Sequence, residues 1–411
     1  MFTDPVLQKR AQRFVLLTVF IYAVGFGIIT PVLPELIQEL SGASLSEATR
    51  LGAWIGAAYA IFQFLLGPLM GNLGDRFGRR PVFLFSLFGF GVDFLLMGLA
   101  PSIIWLFIGR SIAGGLGAIF GPANAAMADM SRAEDRAASF GKVGAAFGLG
   151  FILGPALGGL LADYGTRLPF ILAAALAFAN GIYGYFVFPE TMPKERQRPF
   201  QWRRANPLGA LANLAKIKGI LPIALIYFLW VWATNIYPAT WTFFAPIQFG
   251  WDSKMVGISL TLVGVSLLLF QSLVIGRAVK RFGERNTAII GMAFGLASFT
   301  ITAFLTNGAI ALLLNVLNGF SGMAMPAINA MMSRRTPPSQ QGELQGLNGS
   351  MSALAFLMAQ LVYNNILATF TADGAPVYFP GAPFLVAAGL SVATLLALLL
   401  VSKREPDPEQ N

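Results

Sequence analysis

Apolar runs of about 20 residues recur along the whole chain, and a run of that length is what one helix needs to cross the hydrocarbon core of a bilayer. Twelve can be read, roughly Phe14–Leu40, Leu51–Met70, Val82–Ala100, Ile103–Met127, Ala138–Ala162, Leu168–Phe188, Ile220–Phe244, Met255–Val279, Thr287–Leu305, Ala309–Met331, Leu344–Phe370 and Pro383–Val401. With 56% of 411 residues apolar and 11% charged, one soluble globule could not hide them. Inside lipid each backbone polar group must be satisfied within the protein, and long continuous apolar runs do so as helices. The expected fold is an all-α membrane protein of twelve transmembrane helices in two six-helix halves, 1–188 and 220–411. A linker at 189–219 would join them. Several runs exceed the minimum length, which fits tilt or extension beyond the lipid. Pro31 and Pro34 interrupt the first run, and Pro238 and Pro246 the seventh. Kinks are expected there, and the freed backbone groups need partners or a water-lined cavity.

Charge fixes the expected orientation, because loops rich in Lys and Arg stay on the cytoplasmic side. With both termini cytoplasmic, 24 of the 28 Lys and Arg fall inside, and only Arg50, Arg167 and Lys254 outside. Arg110 remains within a span. The N-terminal stretch Met1–Arg13 is short and has no small-residue cleavage site, so no removed signal peptide is expected. The central connection carries Lys194, Arg196, Arg198, Arg203, Arg204, Lys216 and Lys218 against Glu190 and Glu195. It reads as a linker, with a regulatory or lipid-recognition segment as the alternative. Phe200 and Trp202 would lay part of it along the headgroups. The net charge of +9 is spread over these short loops, which suits a membrane better than nucleic acid.

The chain has no cysteine and no histidine. Disulfides, thiolate chemistry, Ser/His and Cys/His pairs and imidazole metal ligands are therefore excluded, and proton transfer falls to carboxylates. No phosphate-cradling loop is present either, so neither an enzyme nor an ATP-driven pump is expected, and no cofactor or metal.

The two halves repeat one another. Gly71-Asn-Leu-Gly-Asp-Arg-Phe-Gly-Arg-Arg-Pro-Val82 forms a basic, glycine-rich connection between the second and third runs. A weaker copy is Gly276-Arg-Ala-Val-Lys-Arg-Phe-Gly-Glu-Arg285, with Arg76-Phe77-Gly78 and Arg281-Phe282-Gly283 offset by 205 residues. Pro122-Ala-Asn124 is echoed by Pro326-Ala-Ile-Asn329, and each is followed by Ser-Arg, at Ser131-Arg132 and Ser333-Arg334. Matching punctuation implies pseudo-symmetric bundles with a site at their interface near mid-membrane.

Two charged residues lie inside spans, and each is a functional candidate by default. Asp93, in Gly91-Val-Asp-Phe-Leu95, sits near the middle of the third run. Placing a carboxylate there costs roughly 2.5–3.5 kcal/mol, so it should face water, pair or be protonated. Arg110, in Gly109-Arg-Ser-Ile-Ala-Gly114, stays charged and would act electrostatically, on a substrate anion or on a nearby carboxylate. Whether the two meet depends on helix rotation. In the fifth run, Gly150-Phe-Ile-Leu-Gly154-Pro155-Ala-Leu-Gly158-Gly159 aligns glycines on one face and permits close helix contact.

The Gly71–Val82 connection resembles the loop between helices 2 and 3 of the major facilitator superfamily, and the fifth-run motif resembles that of its drug–proton antiporters. Gly25-Phe-Gly-Ile-Ile-Thr-Pro-Val-Leu-Pro34, Asp75-Arg-Phe-Gly-Arg-Arg-Pro-Val82, Phe147-Gly-Leu-Gly150, Phe249-Gly-Trp-Asp252 and Gln341-Gly-Glu-Leu-Gln-Gly346 sharpen the resemblance to the tetracycline-efflux (Tet) family. It implies a major facilitator fold, export driven by protons, and Asp93 and Arg110 as the proton-coupling pair. It also implies a cytoplasmic latch at Gly71, Asp75, Arg76, Arg79 and Arg132, and an interface-shaping helix at Gly150, Gly154, Pro155, Gly158 and Gly159. Three positions that are ionisable in the tetracycline exporters are Tyr22, Leu267 and Gly295 here, so ligands for a metal–tetracycline chelate are missing.

Neutral and aromatic residues remain to line a substrate cavity: Tyr22, Gln63, Asn124, Asn180, Trp230, Trp232, Asn235, Tyr237, Trp241, Gln271, Asn315 and Asn318. Amides and rings suit a sizeable amphipathic or planar organic molecule. The expected function is export of such a molecule by a monomer in the bacterial inner membrane, through alternating access coupled to protons at Asp93. Two alternatives stand beside it: a facilitated or symport carrier of an anionic metabolite or lipid held by Arg110, and a non-transporting receptor or scaffold.

Overall fold

The computed structural model describes residues 5–116, 119–131, 136–192, 197, 219–337 and 341–402. Its helices cluster in two compact units, Met1–Ala205 with Trp251–Gly264, and Asn206–Gly250 with Val265–Asn411.

In the first unit the opening span is α1 (Pro5–Ile29), and α2 (Leu33–Ser41) follows beyond it as a separate short helix. Pro31 sits in the break and Pro34 in the first turn of α2, where a missing N–H costs no helical bond. Ser44 then starts α3 (Leu45–Phe77) with a reciprocal cap, its hydroxyl taking the Glu47 amide and its own amide donating to Glu47 Oε2 at 3.0 Å. This helix corrects one expectation. The stretch from Gly71 to Phe77 is helical, and the connection to α4 (Arg79–Gly98) is the single residue Gly78. At φ 98° and ψ 163°, Gly78 holds a conformation that glycine alone adopts readily, so one residue makes the turn. The helices α5 (Ile103–Leu116), α6 (Phe120–Asp129), α7 (Arg136–Ala162) and α8 (Leu168–Val187) complete the unit. Among these, α1 packs chiefly on α7 and α8, α3 on α5, and α4 on α8 and α5.

The fifth-run glycines build the α1–α7 contact. A Cβ on Gly150 or Gly158 would overlap the carbonyl oxygen of Phe20 or Ile28, and one on Gly154 would stand 2.8 Å from Gly27 Cα. Gly159 faces the backbone of Ser253 and Lys254, 2.9 Å from Ser253 O. That approach explains why the start of the eighth span, in α11 below, is counted with the first unit.

The second unit repeats the pattern. Helices α9 (Ile220–Thr234) and α10 (Ile236–Phe249) form the seventh span, which breaks at Asn235, three residues before Pro238. The eighth and ninth comprise α11 (Ser253–Leu269), a π-helical turn at Phe270–Val274, and α12 (Ile275–Phe304), which bends at Gly283 (φ 74°, ψ 167°). Helix α13 (Gly308–Leu317), a 3-10 segment (Asn318–Met323) and α14 (Ala324–Arg335) make the tenth. Then come α15 (Gln341–Thr371) and α16 (Ala382–Ser402). Its core gathers Ile223, Tyr227, Trp230, Met292, Ile328 and Leu347. Eleven helical stretches among the described residues are long and apolar enough to span a membrane. One of them, Ser253–Phe304, is 52 residues long and holds two of the twelve expected spans on either side of the Gly283 region.

Candidate functional site

Asp93 on α4 and Arg110 on α5 meet. The guanidinium engages the carboxylate through two nitrogens, Nε to Oδ1 at 3.2 Å and a closer contact from Nη2 to Oδ2. The side chains are 0% and 6% exposed, so this is a fully buried ion pair. Gly109 makes room for it, since a Cβ there would stand 2.9 Å from Asp93 Oδ1. The same guanidinium lies 5.8 Å from the ring centres of Tyr59 and Phe94. These faces attract a cation and add to what the carboxylate supplies.

A second layer surrounds the pair. Gln63 Nε2 donates to the Tyr59 hydroxyl at 3.2 Å, and the Tyr22 hydroxyl lies 3.5 Å from that of Tyr59. Tyr22 also packs on Phe90, with ring centres 4.6 Å apart. Tyr22 and Gln63, read from the sequence as cavity residues, are thus brought to the ion pair through Tyr59. Nothing in the sequence singled out Tyr59. Its i, i+4 spacing to Gln63 was the available signal.

Of the residues expected to form a latch, Asp75 and Arg79 meet where α3 turns into α4. Arg79 Nη1 reaches Asp75 Oδ1 at 2.8 Å, and its Nε reaches Asp129 Oδ2, on the last residue of α6, at 3.2 Å. Asp129 was not among the sequence candidates. Arg76 turns over the Phe77 ring, 5.0 Å from its centre, and makes no ion pair among the described residues. Gly71 lies within α3, and Arg132 lies outside the described residues. Glu190, just after α8, was also unforeseen. Its carboxylate accepts the Arg79 and Arg80 amides at 2.8 and 3.2 Å and those of Thr191 and Met192 at 2.9 and 3.0 Å. An anion capping a helix start satisfies donors that have no partner within the helix. A Cβ on Gly78 would overlap that carboxylate, so the turn and its cap require each other.

The remaining cavity candidates are dispersed. Trp230 and Trp241 are each 1% exposed, packed among neighbouring side chains. Tyr237 shares a hydrogen bond of 3.1 Å with Ser298 and packs against Trp241, Phe299 and Phe384. Asn235 returns its amide to Val231 O at the break between α9 and α10. Asn180 donates to Thr18 at 2.9 Å and ties α8 to α1. Asn318 Oδ1 accepts from Ser321, and Gln271 is exposed in the π-helical turn. Asn124 Oδ1, Asn315 Nδ2 and Trp232 Nε1 are buried without a hydrogen-bond partner among the described residues.

Leu267 Cδ2 lies 2.9 Å from where a Gly322 Cβ would stand. A side chain at Gly295 would run into Trp230, whose Cη2 lies 2.6 Å from the Cβ position. The second unit has filled that space with indole.

The model of the Major Facilitator Superfamily matches residues 15–270 and 223–411. The chain belongs to the major facilitator superfamily. Within it, the class C tetracycline resistance protein of Escherichia coli is 36% identical over 391 residues, covering 95% of this chain and 97% of its own. Multidrug resistance protein 2 of Bacillus subtilis (strain 168) is 28% identical over 357 residues, covering 84% of this chain and 86% of its own. Among solved structures, the human organic anion transporter MFSD10 (TETRAN) superposes with a TM-score of 0.73 at 22% identity, covering 96% of this chain and all of that one. The last likeness supports the superfamily's fold. The chain is a multi-pass membrane protein.

Proposed function

We infer that this chain is a secondary active transporter, an exporter of drug-like or amphipathic organic molecules driven by protons through alternating access. The observation that carries the reading is the Asp93–Arg110 pair, buried between two spanning helices of a chain 36% identical to a tetracycline resistance protein. Protonating Asp93 removes the charge that holds Arg110 and leaves a guanidinium that must find another partner. The nearby groups are the Tyr59 and Phe94 rings. A proton therefore changes the energy of this site in one conformation relative to another, which is what a coupling ligand must do. Twin termini on the cytoplasmic side, a bacterial inner membrane and a monomer complete the proposal. An anion carrier using Arg110 is less well supported, because that guanidinium is committed to Asp93.

The test uses inside-out vesicles energised acid-inside, with tetracycline and ethidium as probes. The intact chain should accumulate at least one of them, and Asp93→Asn should not, at equal amounts of folded protein. Gradient-driven accumulation by Asp93→Asn would remove the coupling role.

A further inference from the structure

A guanidinium does not shed its charge, so the hydrogen bonds that Arg110 loses when Asp93 takes a proton must be replaced inside the bundle. A protonated carboxyl keeps one oxygen that only accepts. With the proton on Oδ2, the Nε contact to Oδ1 at 3.2 Å survives and the Nη2 contact to Oδ2 does not. Nη2 then needs another oxygen within reach.

Two side chains stand equally near, since the ring centres of Tyr59 and Phe94 are each 5.8 Å from the guanidinium carbon. Both present a π-face, but only Tyr59 carries an acceptor. The backbone fixes its place. Gly114, about one turn beyond Arg110 on α5, approaches α3 so closely that a Cβ on it would overlap the Tyr59 carbonyl oxygen. Tyr59 and Arg110 are both buried, where a charge-assisted hydrogen bond weighs most.

The Tyr59 hydroxyl also leads outward. Gln63 Nε2 donates to it at 3.2 Å, and the Tyr22 hydroxyl is 3.5 Å away on α1. A phenol has one hydrogen to give. A guanidinium donating into its oxygen turns that hydrogen towards Tyr22 and competes with the Gln63 amide, so both neighbours are redirected.

We propose that Tyr59 is a positioning residue of the coupling site: it receives the Arg110 guanidinium while Asp93 holds a proton, and passes the change to Gln63 and Tyr22. This rests on the proton-coupled reading above and adds the residue that ties the proton to positions expected to meet substrate. Among the described residues, the ionisable groups that face one another here are Asp93 from α4, Arg110 from α5, Tyr59 from α3 and Tyr22 from α1.

The test is the midpoint of unfolding in mild detergent for Tyr59→Phe, which keeps the ring and loses the hydroxyl. It is measured in the intact chain, in Asp93→Asn and in Arg110→Met. Asp93→Asn stands for the protonated acid, uncharged and with one carbonyl oxygen left. The shift caused by Tyr59→Phe should be at least about twice as large in Asp93→Asn as in the intact chain, and no larger in Arg110→Met. A hydroxyl that is merely structural would cost the same in all three. Should Asp93→Asn not fold, the melts are run from neutral to mildly acid pH. The Tyr59→Phe shift should then grow as pH falls in the intact chain and stay flat in Arg110→Met.

Equal shifts in the three backgrounds, a shift independent of pH, or the same background dependence for Phe94→Leu would each overturn the role of the hydroxyl. Accumulation of tetracycline and ethidium in the inside-out vesicles separates this from the transport reading. If the intact chain takes up neither, the transport reading fails, and the midpoints still decide whether Tyr59 receives Arg110. If Tyr59→Phe keeps the uptake and pH profile of the intact chain, the link to the cavity fails.

Discussion

Substituting Asp93→Asn isolates the energetics of the buried pair. The variant keeps the side-chain shape but leaves the Arg110 guanidinium charged among apolar helices. Breaking a buried pair in this way costs about 3–5 kcal/mol, while replacing both partners is close to neutral. The guanidinium lies 5.8 Å from two ring centres in the intact protein as well, so those contacts are common to both forms and leave the penalty at about 3–5 kcal/mol. Arg110→Met removes the cation and both ring contacts but lets the carboxylate take up a proton, so a similar penalty follows. The double variant Asp93→Asn/Arg110→Met should recover most of it. Unfolding midpoints in mild detergent, followed by tryptophan fluorescence, give the three values, and gradient-driven uptake should be lost in all three variants. If the double variant loses the sum of the two single losses, the side chains do not act as a pair and the reasoning fails.

Three further outcomes follow from packing and capping. Gly158→Ala should destabilise by about 1–3 kcal/mol, the usual cost of overpacking, because its Cβ would overlap the Ile28 carbonyl oxygen; Gly144→Ala, with nothing within 4 Å, should be silent in the same melt. Glu190→Ala leaves the Arg79 and Arg80 amides without their carboxylate, so stability should fall by about 1 kcal/mol, and hydrogen exchange of these amides should quicken; unchanged exchange would exclude the cap. Glu39 accepts hydrogen bonds from Thr166 and Arg167, which hold its carboxyl below the usual range despite slight desolvation. A depressed folded-state value contributes stability above the unfolded value and loses it as pH falls through the folded one. The stability difference between the intact chain and Glu39→Gln should therefore be present at pH 7 and vanish in acid; a difference independent of pH would refute it.

The architecture was legible because lipid leaves so few options. Apolar length gave the spans, and the prolines marked the end of the first and the break in the seventh to within a few residues. The connection at Gly71–Val82 was misread as a loop since its charges lower the hydropathy without lowering helix propensity. Gly78 alone makes the turn, a fact of backbone angles that composition does not carry. Asp93 and Arg110 stood out because an intramembrane charge needs a reason. Their meeting did not stand out, because 17 residues and a connection separate them, and helix rotation is set by packing. Glu190 was invisible for a similar cause, acting on amides 110 and 111 residues away.

The duplication also shows where the two copies have diverged in chemistry. At the offset of 205 residues Asp93 corresponds to Ser298 and Arg110 to Asn315. Ser298 is occupied by Tyr237, while Asn315 is 1% exposed and its Nδ2 has no hydrogen-bond partner among the described residues. The first unit therefore keeps an ionisable pair where the second keeps a hydroxyl and an amide. A protonation event can alter the energy of the first copy and has nothing to act on at the equivalent place in the second. Trp230 reinforces that difference by filling the space a carboxylate at Gly295 would need. Restoring the acid by Gly295→Asp should thus cost stability unless Trp230→Ala makes room. If Gly295→Asp alone folds with an unchanged midpoint, the indole does not exclude charge from the second unit.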